Sequence, residues 1–115
     1  MYNTLMNSKI TRKRRSDRNQ VIYYITNVET GDSYIGLTAL SFGGSVKRTL
    51  TRRMQKHLQR AMTETKNWSL CLSLRKHGPE QFVFGPLETV RGKAQAHQRE
   101  LELIREYDPQ LNTFK

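Results

Sequence analysis

Glu100 is the residue whose placement most demands chemistry. It lies in the stretch 93 to 107, whose apolar residues recur at helical spacing. With Ile104 at the centre of the apolar face and about 100° per residue, Glu100 falls about 40° from that centre. Ala96, His97, Leu101, Leu103 and Tyr107 surround the same centre, whereas Glu102 and Glu106 point outward. An ionised carboxylate on a core-facing stripe is costly without a partner. Glu100 is therefore read either as a ligand for a hard cation or as half of a buried pair with Arg53 or a lysine. His97, on the same face, is read as packing. Tyr23 and Tyr34 stand in two β-branched, aromatic stretches, where a hydroxyl either moves a proton or simply packs with its hydrogen bond satisfied.

Net charge says what such groups would meet. Lysine and arginine number 20 against 10 acidic residues, for a net charge of +10 and a pI near 10.2. That balance favours a polyanion, through the counterions released when phosphates are neutralised. Lys9, Arg12, Lys13, Arg14, Arg15 and Arg18 crowd a polar segment without periodicity, and residues 1 to 20 are read as a basic arm that orders on nucleic acid. The arm has no apolar core behind its charges, so it is not expected to be a secretory signal. No apolar run approaches the ~20 residues of a membrane span. A single cysteine, Cys71, excludes an internal disulfide and fits a reducing cytoplasm.

The elements that must position these groups follow from periodicity. Val21 to Thr26 and Ser33 to Leu37 read as strands, and the turn residues Asn27 to Asp32 make them a hairpin. Ser41-Phe-Gly-Gly-Ser45 reads as a flexible loop. Val46, Leu50, Met54, Leu58 and Ala61 form one apolar stripe, predicting a helix over about 46 to 62. A second helix is expected from Asn67, as N-cap, to His77, stopped by Gly78-Pro79. Trp68 at its start is read as core. Gln81 to Val90 reads as a strand interrupted by Gly85-Pro86, hence an edge or a bulge. The last helix ends before Asp108-Pro109. The order is ββααβα: an α+β domain over 21 to 115, with a small three-stranded antiparallel sheet flanked by helices.

The hairpin VIYYITNVETGDSYIG, with Ile22-Tyr23 and then Tyr34-Ile35-Gly36, resembles the signature of the GIY-YIG nucleases. Ile25, Thr26, Asn27 and Gly31 extend the match, although Val21 replaces the first glycine. The resemblance implies an arginine followed four residues later by a histidine on the first helix, here Arg53 and His57. Helical phase agrees: relative to Met54, His57 lies about 60° and Arg53 about 100° to the same side. Arg52 points nearly opposite and Arg48 lies on the other flank, where both are read as phosphate contacts or solvated charges. The link from Leu37 to Leu50 is longer than the family pattern. The resemblance also implies a metal-binding glutamate on the last helix, here Glu100 ahead of Leu103-Ile104. An Asn-Pro…Asn-like segment follows in the family, here Asp108-Pro-Gln-Leu-Asn112, with Asn112 as a supporting residue or a cap.

The resemblance further implies a Mg²⁺- or Mn²⁺-dependent endonuclease acting on DNA, double-stranded by expectation, with RNA left open. In its terms Glu100 holds the metal, Arg53 supplies fixed charge and Tyr23 is the general base. Tyr34 orients water or phosphate. An unperturbed tyrosine, with a pKa near ~10, is ionised only to about one part in a thousand at neutral pH. Nearby cations must therefore lower that value, or the proton must be shared with His57. One site cuts one strand, so a monomer or a transient homodimer is expected. The competing reading is a non-catalytic nucleic-acid-binding module of the same fold, and Glu100 separates the two, since a pure binder gains nothing from it.

Overall fold

A computed structural model describes residues 18–63 and 68–113. Lys9, Arg12, Lys13, Arg14 and Arg15 lie outside the described residues, as does Asn67. Strand β1 (Asn19–Asn27) pairs antiparallel with β2 (Ser33–Ala39) on one side and with β3 (Phe82–Arg91) on the other. The sheet order is thus β2-β1-β3. Helices α1 (Val46–Thr63) and α2 (Ser69–His77) precede β3, and α3 (Lys93–Tyr107) follows it. The ββααβα order and the α+β class agree with the sequence reading.

The central strand explains why VIYYI is almost continuously apolar. Alternate side chains leave opposite faces of a strand, and here both faces are covered. Val21, Tyr23 and Ile25 pack with Leu50, Met54 and Ala61 of α1 and Leu70, Cys71 and Leu74 of α2. Ile22 packs the other way, with Ile35 and with Leu103 and Ile104 of α3. Val21, Ile22 and Ile25 are fully buried, each worth about 1.5–3 kcal/mol relative to exposure. Val21, where the signature has glycine, is thus core. β1 begins earlier than the sequence suggests: Asn19 and Gln20, read as arm, pair with Arg91 and Val90 of β3. Arg18 just before them is exposed.

β3 is an edge strand, as Pro86 requires. Its pairing with β1 shifts register between Ile22, opposite Glu88, and Tyr23, opposite Pro86. This is the bulge expected there. The longer link after β2 is not slack. Phe42–Gly44 form a 3-10 turn, and the Thr49 hydroxyl donates to the carbonyls of Ser41 and Ser45 while accepting from the Ser41 amide. The Ser45 hydroxyl accepts from the Arg48 amide and caps α1.

Helix α2 begins at Ser69 with Trp68 as its N-cap, and no side chain caps it. The Ser69 amide donates instead to the Thr113 hydroxyl at 3.2 Å. Gly78, at φ 85°, ends the helix as predicted, and Pro79 opens a short 3-10 turn. The chain after α3 returns along the outer edge of β2. Leu111 donates its amide to Ser33, and the Asn112 side chain both accepts from the Ile35 amide and donates to the Ile35 carbonyl, each at 2.9 Å. Among the described residues no helix is long and apolar enough to cross a membrane.

Candidate active site

The register of β1 and β2 builds the site. Ile25 lies opposite Tyr34 and Tyr23 opposite Gly36, so both tyrosine rings rise on the α1 face. Gly36 has a physical reason to be glycine, since a Cβ there would come within 2.5 Å of the Tyr23 ring end and 2.8 Å of Tyr34. The vacant space is filled by the Tyr23 phenol.

Helix α1 brings its two residues to that hydroxyl. Tyr23 Oη and His57 Nε2 are 2.8 Å apart in a buried contact, and Arg53 Nε donates to Tyr23 Oη at 3.2 Å. Tyr34 packs edge-on against His57, with ring centroids 5.4 Å apart. Arg52, one residue away, is exposed. It shares the outer face of α1 with Lys47, Arg48 and the exposed Phe42.

The electrostatics follow from burial. Desolvation lowers the pKa of His57 to about 4, helped by Arg53 and Arg60, so the imidazole is neutral at pH 7. Desolvation raises the pKa of Tyr23, and Arg53 offsets this only in part. Tyr34 is raised too, chiefly by burial and then by Tyr23. The route in which cations lower the Tyr23 pKa is therefore corrected: burial outweighs Arg53, and the phenol keeps its proton. Arg53 donates to the Tyr23 oxygen, and neutral His57 can take the phenol proton at Nε2 in the tautomer that carries its own proton on Nδ1.

Glu100 stands apart from this hydrogen-bonded group. Its side chain is 14% exposed, and its ionic neighbour is His97 at 3.5 Å rather than Arg53 or a lysine. Burial raises its pKa, with His97 opposing, and its charge reaches both Tyr23 and Tyr34, whose pKa values it pushes up. His97 itself is 66% exposed, so its reading as core packing is overturned. Leu101 and Tyr107 are exposed as well. The apolar face of α3 is narrower than the sequence stripe, because it packs mainly through Ala96, Leu103 and Ile104. Among the described residues no three His, Cys, Asp or Glu side chains gather as a metal cage. One partly desolvated carboxylate fits a hard, largely hydrated cation such as Mg²⁺ better than a four-ligand ion such as zinc.

A cavity of about 320 Å³ opens beside the cluster, lined by Tyr34, Arg53 and His57 together with Arg60, Trp68, Leu70 and Leu111. The sequence reading missed Arg60, although helical phase places it about 120° from Met54 on the same side as Arg53. It also took Trp68 for core; the indole is 43% exposed. Asn112 reaches the cavity wall while its amide is committed to Ile35.

No protein-family model and no curated protein matches the sequence. Two solved structures match the fold. The catalytic domain of intron endonuclease I-TevI, in a single-substitution mutant form, aligns with a TM-score of 0.64 at 23% identity, covering 84% of this chain and 92% of that one. The catalytic domain of homing endonuclease I-TevI aligns with a TM-score of 0.60 at 26% identity, covering 81% and 92%. The chain therefore shares the fold of the I-TevI catalytic domain, that of a GIY-YIG homing endonuclease, whose family signature its own hairpin resembles.

Proposed function

We propose that the protein is an endonuclease that hydrolyses DNA phosphodiester bonds with Mg²⁺ or Mn²⁺, cutting one strand per site. The observation that carries this reading is the hydrogen-bonded trio Tyr23–His57–Arg53, of which Arg53 and His57 line a cavity, within the field of a desolvated carboxylate. The likeness to an endonuclease catalytic domain supports it.

In this reading Tyr23 works as a relay. An attacking water gives its proton to the Tyr23 oxygen while the phenol proton passes to Nε2 of neutral His57, so no free tyrosinate forms. General base catalysis of this kind contributes roughly 10²–10⁴-fold. Arg53 spends one donor on Tyr23 and keeps the rest of its guanidinium for the equatorial oxygens of the phosphate, where charge builds in the transition state. Tyr34 orients the water or the phosphate. Glu100 would hold the cation, which supplies charge neutralisation and stabilisation of the leaving oxygen. Asn112 supports the site by clamping the last segment to β2 through Ile35.

Arg48 and Arg52, on the exposed side of α1, and Arg18 with Lys9, Arg12, Lys13, Arg14 and Arg15 in the arm of residues 1 to 20 would contact phosphates away from the cut. Such contacts do not read the sugar, so RNA stays open as a substrate. A monomer or transient homodimer in a cytoplasm is the setting this reading takes.

Nicking of supercoiled plasmid tests it. Mg²⁺ or Mn²⁺ should convert the plasmid to open circles, and a chelator should stop the conversion. DNA binding without nicking in either metal would instead identify a non-catalytic module of the same fold.

A further inference from the structure

The cavity lining is of two kinds. Tyr34, Arg53 and His57 are the groups assigned to the phosphate, whereas Trp68, Leu70 and Leu111 supply an aromatic and two aliphatic side chains, and Arg60 a further cation. The backbone at Trp68 is tied down through its neighbours. The Ser69 amide donates to Thr113, the next residue, Asn112, is fastened to Ile35, and the Trp68 carbonyl accepts the Leu72 amide as α2 begins. The same strand that carries Tyr34 thus anchors the backbone from which the indole projects.

We infer that Trp68, with Leu70 and Leu111, forms a pocket for one unpaired nucleobase of the strand whose phosphate lies at Arg53 and His57. This rests on the nuclease reading and adds a base-binding subsite to it. Three observations choose a nucleobase as occupant. Tyr34, Arg53 and His57 line the same cavity, its volume of about 320 Å³ lies in the range of small-ligand sites, and the two arginines of its lining, Arg53 and Arg60, suit the phosphates that a nucleotide carries. An exposed indole in a basic cavity suits single-stranded bases, which stack on aromatic rings, and every base has a face to offer. A base inside a duplex has both faces covered by its neighbours, so the occupant must be flipped or already single-stranded. The consequence is a preference for cutting next to a distorted or unpaired nucleotide.

Trp68 is the only tryptophan in the chain, so its emission reports on the pocket alone. The test uses the full chain in chelator, which prevents turnover, with two end-labelled probes of about eight nucleotides: an oligothymidylate and the same backbone with abasic residues. Polarisation of the label gives affinity, and tryptophan emission gives occupancy. The oligothymidylate should quench Trp68 in step with binding, whereas the abasic strand should bind through its phosphates without that change. Trp68→Leu should weaken the oligothymidylate roughly ten-fold and leave the abasic strand unaffected, and Trp68→Phe should restore most of the loss.

Equal quenching by both strands, or Trp68→Leu binding as wild type, overturns the pocket. Plasmid nicking with neither strand bound overturns the pocket but not the nuclease. Failure of both nicking and binding removes the nuclease reading and the pocket together. If Trp68→Leu loses its helical circular dichroism, Trp68→Phe and the wild-type quenching contrast still decide.

Discussion

Arg99 and Glu100 are neighbours on α3 and belong to different worlds. Arg99 donates to both carboxylate oxygens of Glu88 at 2.8–2.9 Å and to Glu102 at 3.1 Å, all at the surface. These partners hold the Glu88 carboxyl below the usual carboxylate range and push the guanidinium up. Glu100, half-buried, has His97 at 3.5 Å and a pKa raised by desolvation. On α1, Arg53 likewise has no carboxylate within ion-pair distance among the described residues; it meets a phenol instead. Charges that build the surface are satisfied by one another in water, where each pair is worth little. Charges facing the site are held in place but left incompletely neutralised. That costs stability and leaves them available to something absent from the chain itself.

The contrast can be broken most sharply at Glu100. Glu100→Gln should abolish metal-dependent nicking while DNA binding and the circular dichroism spectrum stay as in wild type. An unfolded variant, or one that cuts at the wild-type rate, would return Glu100 to the class of structural charges. Tyr23→Phe and Arg53→Ala should each lower single-turnover cleavage by at least a few hundred-fold, the scale of losing a proton relay or a fixed transition-state charge. Arg52→Ala, on the exposed side, should change the rate little. The opposite outcome for the two arginines would mean that the wrong face of α1 meets the substrate.

A smaller effect concerns His57. Its pKa in the folded protein is depressed to about 4 from an ordinary 6.5. The stability it contributes is therefore present above pH 6.5 and lost as pH falls toward 4. Glu100 has the opposite sign, because its folded pKa is raised, so the informative quantity is the difference between wild type and His57→Gln. Melting temperatures measured from pH 7 to pH 4 should fall more steeply for wild type than for the variant. Parallel curves would show that the imidazole is not buried as a neutral base. Kinetics add a second reading: cleavage should show no loss of activity at the ordinary histidine value of 6.5, because the buried imidazole is still neutral there. The smallest effect belongs to the surface network. Glu88→Gln should leave both nicking and the melting temperature almost unchanged, and a large loss of either would mean that the Arg99 network positions α3 for the site.

The sequence by itself determined what local periodicity can encode. The β-branched and aromatic residues of VIYYIT and SYIGL with the turn between them made a hairpin, the spacing from Val46 to Ala61 made α1 and separated Arg53 from Arg52, and Gly78-Pro79 ended α2. Pro86 placed β3 at an edge. These are properties of a chain segment and its own neighbours, so they are legible without the rest of the molecule. Tertiary structure decided what depends on distant partners. It made β1 the central strand, which buries Val21 and gives Tyr23 its raised pKa, because helices arrive on both faces. It seated the Tyr23 phenol over Gly36 and against His57, a contact between residues 34 apart in sequence. It exposed His97, since α3 packs through fewer residues than its apolar stripe contains. And it turned Trp68 from expected core into a cavity wall, because the start of α2 is fastened to Thr113 at the other end of the chain. Sequence pattern specifies which face of an element is apolar; only packing decides how much of that face another element covers, and at this site the uncovered remainder forms the cavity.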